Sequence, residues 1–94
     1  MRVRSIRHRG LRRLIEQNDP REIRPDQQRR VRRIIAAVLT ASSIDQVQGP
    51  PGWRIHQLTG DRAATWSISV SGNWRITFEL HADEVFNLDL EDYH

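Results

Sequence analysis

The sequence predicts an α+β fold, with two N-terminal helices packed on one face of a curved, mostly antiparallel sheet. Three observations predict it. Apolar residues recur at helical spacing as far as Leu39, and at a spacing of two from Trp66 onward. Between these regions lies a break rich in turn formers, Gly49-Pro50-Pro51-Gly52. Three strands with one apolar face need a cover, and the helices preceding them supply it.

Taken in order, Val3 and Ile6 make a short alternating start. Leu11, Leu14 and Ile15 then fall at i, i+3 and i+4, one face of a helix over about 8–18 that Asp19-Pro20 ends. Pro25 suits the first turn of a second helix, followed by Asp26, where the helix dipole favours an acid. Val31, Ile34, Ile35, Val38 and Leu39 form its apolar stripe, with Arg29, Arg30, Arg32 and Arg33 around and opposite. Past the break, 53–58 is a candidate strand. Trp66, Ile68 and Val70 alternate with polar residues, as do Trp74, Ile76, Phe78 and Leu80, and then Phe86, Leu88 and Leu90. Ser71-Gly72-Asn73 and His81-Ala82-Asp83 read as hairpin turns. The three tryptophans sit where core packing wants them.

At 94 residues the chain has room for one domain, 1–94, and one modest core. It has no cysteine, which excludes disulfides and thiolate metal sites. No apolar run suggests a signal peptide or membrane span, so a cytoplasmic location is expected. Charge is divided unevenly. Residues 1–33 hold 12 arginines and 4 acids, 12 − 4 = +8, while residues 34–94 hold 3 arginines and 8 acids, 3 − 8 = −5. Such asymmetry points to a polyanionic partner. All 15 basic residues are arginine, which grips phosphate bidentately and stacks on bases. A codon bias toward arginine explains the absence of lysine but not the clustering.

The odd-numbered strand residues, Arg75 among them, should form the sheet's polar face. His56 lies near the end of the first candidate strand, and Asp92-Tyr93-His94 follows the last. Two histidines, a carboxylate, a tyrosine and an arginine have the parts for RNA cleavage without metal. That chemistry needs a base for the 2′-hydroxyl, an acid for the 5′-oxygen and a cation for the phosphorane. His56, His94 and Asp92 lack a spaced ligand motif, so no metal or other cofactor is expected. Each residue alone is commonplace: strand histidines are mostly structural, terminal residues mostly frayed, and sheet-face arginines mostly solvated. His8 and His81 lie near element ends and are given no role.

Taken together, the segments resemble a known family. Gly52-Trp53-Arg54-Ile55-His56-Gln57-Leu58-Thr59-Gly60-Asp61 resembles the GWRLHPLKGD stretch of HigB-type toxins in the RelE/ParE superfamily. The run 66–78, which ends Gly72-Asn73-Trp74-Arg75-Ile76-Thr77-Phe78, resembles their WSVxVxGNWRLTF, and 89–94 resembles their DxxDYH ending. Residues 6–12 resemble their opening FxxKGL. The resemblance spans nearly the whole chain. It implies helices on an antiparallel sheet and ribosome-dependent cleavage of messenger RNA. It also implies restraint by a HigA-type helix-turn-helix antitoxin, through which alone operator DNA is reached.

The resemblance further implies an active site of His56, Asp92, Tyr93 and His94, with Arg75 on phosphate and Asn73 in the same motif. Which histidine is base and which is acid stays open. Thr59 stands where relatives commonly carry lysine, and Arg62 is the candidate to replace that charge at the RNA. Arg29, Arg30 and Arg33 are expected to hold ribosomal RNA by its backbone. Because His94 ends the sequence, a tag there is expected to cost more activity than a tag at Met1. Two rival classes are a gyrase-poisoning toxin on the same fold, against which His56 and His94 argue, and a non-catalytic RNA- or partner-binding module, which only Thr59 favours.

Overall fold

His8 starts the first helix. Its Nδ1 accepts the Leu11 N–H at 3.1 Å, so a residue assigned no role is the N-cap of α1, Arg9–Gln17. In the computed structural model, which describes residues 1–92, α1 ends where Asn18 turns left-handed at φ 53°. The second helix, α2, runs Gln28–Thr40 and begins later than Pro25 suggests. Residues 25–27 form a turn instead, and Asp26 is drawn to Arg24 at 3.0 Å rather than to a helix terminus. Leu11 and Leu14 of α1 and Val31, Ile34, Ile35 and Val38 of α2 are buried, as their spacing requires.

Among the described residues, five strands form one sheet: β1 (Arg2–Val3), β2 (His56–Gln57), β3 (Thr65–Ser71), β4 (Trp74–His81) and β5 (Glu84–Asp92). Their order is β1-β5-β4-β3-β2, antiparallel except for β1 against β5. The α+β architecture therefore stands as the sequence implies. The start of the chain contributes a parallel edge strand, extended by a bridge between Ile6 and Leu88. The core is one cluster in which Ile68, Val70, Ile76, Phe78, Val85 and Leu88 meet the helix residues. Each such side chain contributes about 1.5–3 kcal/mol on burial. Among the described residues, no helix is long and apolar enough to cross a membrane.

Two strand expectations need correction. The candidate strand 53–58 shrinks to the two residues of β2, because Pro51–Trp53 forms a 3₁₀ turn that buries Trp53. Phe86 leaves the core face. The β4–β5 register passes from Thr77–Asp89 to Glu79–Phe86, two residues against three, and Asn87 sits in the bulge at φ 55°. Beyond it the alternation inverts: Val85 is fully buried, and Phe86 lies edge-on to the His81 ring at 5.3 Å. At the other edge of the sheet, Met1 is packed rather than free. It is 8% exposed, and its ammonium donates to the Val38 carbonyl at 2.8 Å, to Leu39 at 3.1 Å and to Ala41, a cation where the α2 dipole favours one.

Candidate active site

The backbone delivers His56 through a sharp reversal. After the Pro51–Trp53 turn, Arg54 adopts φ 49°, and its carbonyl lies 2.7 Å from Nδ1 of His56. A carbonyl only accepts, so Nδ1 carries the hydrogen, and the lone pair of the neutral ring is on Nε2. The His56 side chain is exposed. It is therefore oriented through one nitrogen while the other is available for proton transfer.

Strand register places His56 and Arg75 on one face. His56 opposes Ser67, Ser67 opposes Thr77, and Thr77 opposes Asp89, making one row across four strands. The next row on that face is Ser69, Arg75 and Glu91. From strand spacing and rise, the Cα atoms of His56 and Arg75 are about 12 Å apart, and a long arginine can cover much of that gap. Arg75 is half-buried and donates through Nη1 to Ser69 Oγ at 3.1 Å.

Glu91 is the participant that sequence reasoning passed over. It accepts two bonds from Arg62, at 3.1 and 2.7 Å, and one from the Thr77 hydroxyl. Hydrogen bonding from Arg62, then from Thr77, holds its carboxyl below the ordinary value against the cost of burial. Its place on the polar face follows from the alternation that places Arg75. Arg62 is thus engaged by Glu91, and whatever charge it lends the RNA is shared with that carboxylate.

A sign can be attached to this contact. The folded pKa of Glu91 lies below the ordinary 4.5, so the stability it adds is full above that value and is lost as pH falls through the folded value. The pair is partly solvated, with side-chain exposures of 39% and 24%, so about 1 kcal/mol is expected after screening. Urea unfolding of Glu91→Gln should show that deficit at about pH 7 and a smaller one at a pH well below 4.5. An equal gap at both pH values would mean that the carboxylate charge is not what the contact uses. Asp19, lowered to about 2 by Arg21, and Glu22 and Glu79, lowered by Arg9 and Asn87, titrate in the same direction.

The other anticipated residues fall around this face. Asn73 is exposed in the β3–β4 turn. Asp92 is exposed and opposes Trp74, one position beyond the Arg75–Glu91 pair. Alternation therefore puts Asp92 on the Leu90 side of the sheet end and Glu91 on the Arg75 side. Tyr93 and His94 lie outside the described residues. Arg29, Arg30 and Arg33 line a cleft of about 420 Å³ between α2 and the turn that precedes β2.

Two helices against a sheet of this order, with an imidazole and a guanidinium on its polar face, define a RelE-like toxin architecture. A crystal structure of a YafQ mutant from E. coli shares the fold with a TM-score of 0.58, covering 95% of this chain and 89% of that one at 10% identity. The model of HigB-like toxins, RelE-like toxins of type II toxin–antitoxin systems, matches residues 4–94, and the chain belongs to that family. The protein named Endoribonuclease HigB from Proteus vulgaris is 34% identical over 92 residues, 98% of this chain and 99% of that protein. Membership makes an antitoxin the partner of this chain.

Proposed function

We propose that this toxin is an endoribonuclease that cuts messenger RNA held on the ribosome and so stops translation in the cytoplasm. The carrying observation is that His56, fixed as its Nδ1–H form by the Arg54 carbonyl, shares a sheet face with Arg75. The relative's name, Endoribonuclease HigB, supports the same chemistry. Nε2 of His56 takes the 2′-hydroxyl proton, and the 2′-oxygen forms a bond to phosphorus. The bond from phosphorus to the 5′-oxygen breaks, and His94 returns a proton to that oxygen. Arg75 carries the phosphorane charge, Asp92, which alternation turns away from His56, serves His94 as the orienting group, and Tyr93 stacks on a base. The products are a 2′,3′-cyclic phosphate and a 5′-hydroxyl; His56 is left protonated and His94 deprotonated, and proton exchange with water restores both.

Residues 1–94 act as one domain in this reading. The antitoxin is of the HigA helix-turn-helix type and alone touches operator DNA. Arginine-coated helices, Arg29, Arg30 and Arg33 among them, hold ribosomal RNA by its phosphates, with Asn73 and Arg62 placed for contacts near the cut.

The reading is tested by incubating purified toxin with a messenger, with and without ribosomes and with and without a chelator, and mapping the ends. Cleavage leaving 5′-hydroxyl ends only when ribosomes are present, unaffected by the chelator, is expected. Inhibited supercoiling by gyrase with intact messenger would overturn it. Ribosome affinity should also fall steeply with salt. Reversing Arg29, Arg30 and Arg33 to glutamate should weaken it by about 100-fold or more at moderate salt. Unchanged co-sedimentation of that triple variant with ribosomes would leave the cluster as a solvated face.

A further inference from the structure

The arginines of residues 1–33 are not equivalent. Arg4, Arg9, Arg13, Arg21 and Arg24 are held in ion pairs with Glu84, Glu22, Asp19 and Asp26. Among the described residues, Arg29, Arg30 and Arg33 have no such partner, and the one acid on their cleft, Asp26, is already taken by Arg24. Arg29 and Arg33 lie at i and i+4 on α2 and are exposed at the rim. Arg30 is half-buried between them. Its Nε is shielded from solvent and bonds to nothing, and an Nη lies 3.3 Å from where a side chain would begin at residue 52, a space kept open because that residue is glycine. A buried guanidinium N–H without an acceptor is an incomplete hydrogen bond, and three convergent guanidinium groups are completed by an anion. Pro50, Gly52 and Trp53 give the opposite wall little charge and a flat apolar surface.

We propose that this cleft is a subsite for the substrate strand itself. It takes a phosphodiester of single-stranded RNA beside the one being cut, on Arg30, with Arg29 and Arg33 closing over it. The inference rests on the ribonuclease reading above and names a subsite for that reaction. Both walls lead to the proposed chemistry. Trp53 is three residues from His56, which limits their Cα separation to about 10–11 Å. On the helix side, Gln27, buried at the start of α2, donates to Ser71 Oγ at 3.1 Å and so ties α2 to the hairpin turn that carries Asn73. A strand leaving the His56–Arg75 face along the 53–56 segment enters this cleft. Within the cluster assigned above to ribosomal RNA, this moves the half-buried Arg30 to the substrate strand, while the exposed Arg29 and Arg33 keep the ribosomal contact as well.

A DNA oligonucleotide serves as probe, because without a 2′-hydroxyl it binds but is not cut. Binding of the full chain to it should weaken about tenfold in Arg30→Met, with the log–log salt slope shallower by about 0.7, the value of one lost phosphate contact on a single strand. Arg30→Lys should recover part of the affinity, and Arg29→Met, altering only the rim, should show a smaller loss. In messenger cleavage, KM should rise more than kcat falls. In Arg30→Met, affinity for ribosomes without messenger should change by no more than about twofold, because Arg29 and Arg33 keep that contact. Unchanged oligonucleotide binding in both Arg30 and Arg29 variants would overturn the proposal. So would a loss confined to ribosome binding, which would assign the cleft to ribosomal RNA. If the parent cuts no messenger yet still binds the strand through Arg30, the ribonuclease reading fails and the strand-binding cleft stands.

Discussion

Replacing His56 with alanine is expected to slow messenger cleavage by at least about 100-fold, the usual cost of losing an acid or base. The ring is exposed and its one described bond is to the Arg54 carbonyl, so the fold has little to lose. The same factor is expected for His94→Ala, which tests the acid separately. Rate constants for both, on the same ribosomes and with thermal unfolding checked beside them, decide the matter. A His56→Ala protein that retains full toxicity would remove that residue from the mechanism, whatever its position on the sheet.

Gly49→Ala should be the more damaging change to the molecule as a whole. A Cβ at residue 49 would fall against Cε3, Cδ2 and Cζ3 of the Trp53 ring, inside van der Waals contact. Trp53 is 6% exposed and wedged into the core cluster, so the ring cannot withdraw without moving the turn that aims His56. Overpacking of this kind costs about 3 kcal/mol. Gly52→Ala, three residues on, meets only the far end of the Arg30 side chain at 3.3 Å and should stay within about 1 kcal/mol of the parent. Urea unfolding of the pair gives the contrast. Equal stability of the two variants would mean that the ring has room to yield.

The helix layer and the three long strands are legible in the sequence because single faces are buried. Leu11, Leu14, Val31, Ile34 and Val38 on one side, and Ile68, Ile76 and Leu90 on the other, keep strict period. Phe86 is misread for a local reason. Asn87 takes a left-handed conformation that inserts one residue, and composition gives no sign of the shift in phase. The strand at 53–58 is misread because Pro51 and the buried Trp53 favour a 3₁₀ turn over extension. At the site, His56 and Arg75 can be assigned to the polar face from alternation and motif. The Glu91–Arg62 pair joins residues 29 positions apart, and the Gln27–Ser71 bond joins residues 44 apart. No periodicity encodes such contacts, because they depend on how the elements are stacked.

The position of β5 between β1 and β4 has a consequence in time. Arg2 and Val3 pair only with Glu84 and Val85, so the first strand to leave the ribosome has no partner until the last described strand has been made. At about 5–20 residues per second that delay is roughly 4 to 16 s. The Arg75–Glu91 row of the site waits for β5 as well, though for a much shorter stretch of chain. A nascent chain can form its helices and the β3–β4 hairpin early, but a closed core must wait for residues 84–92. The edge strand that opens the fold is thus among the last parts to be locked in place.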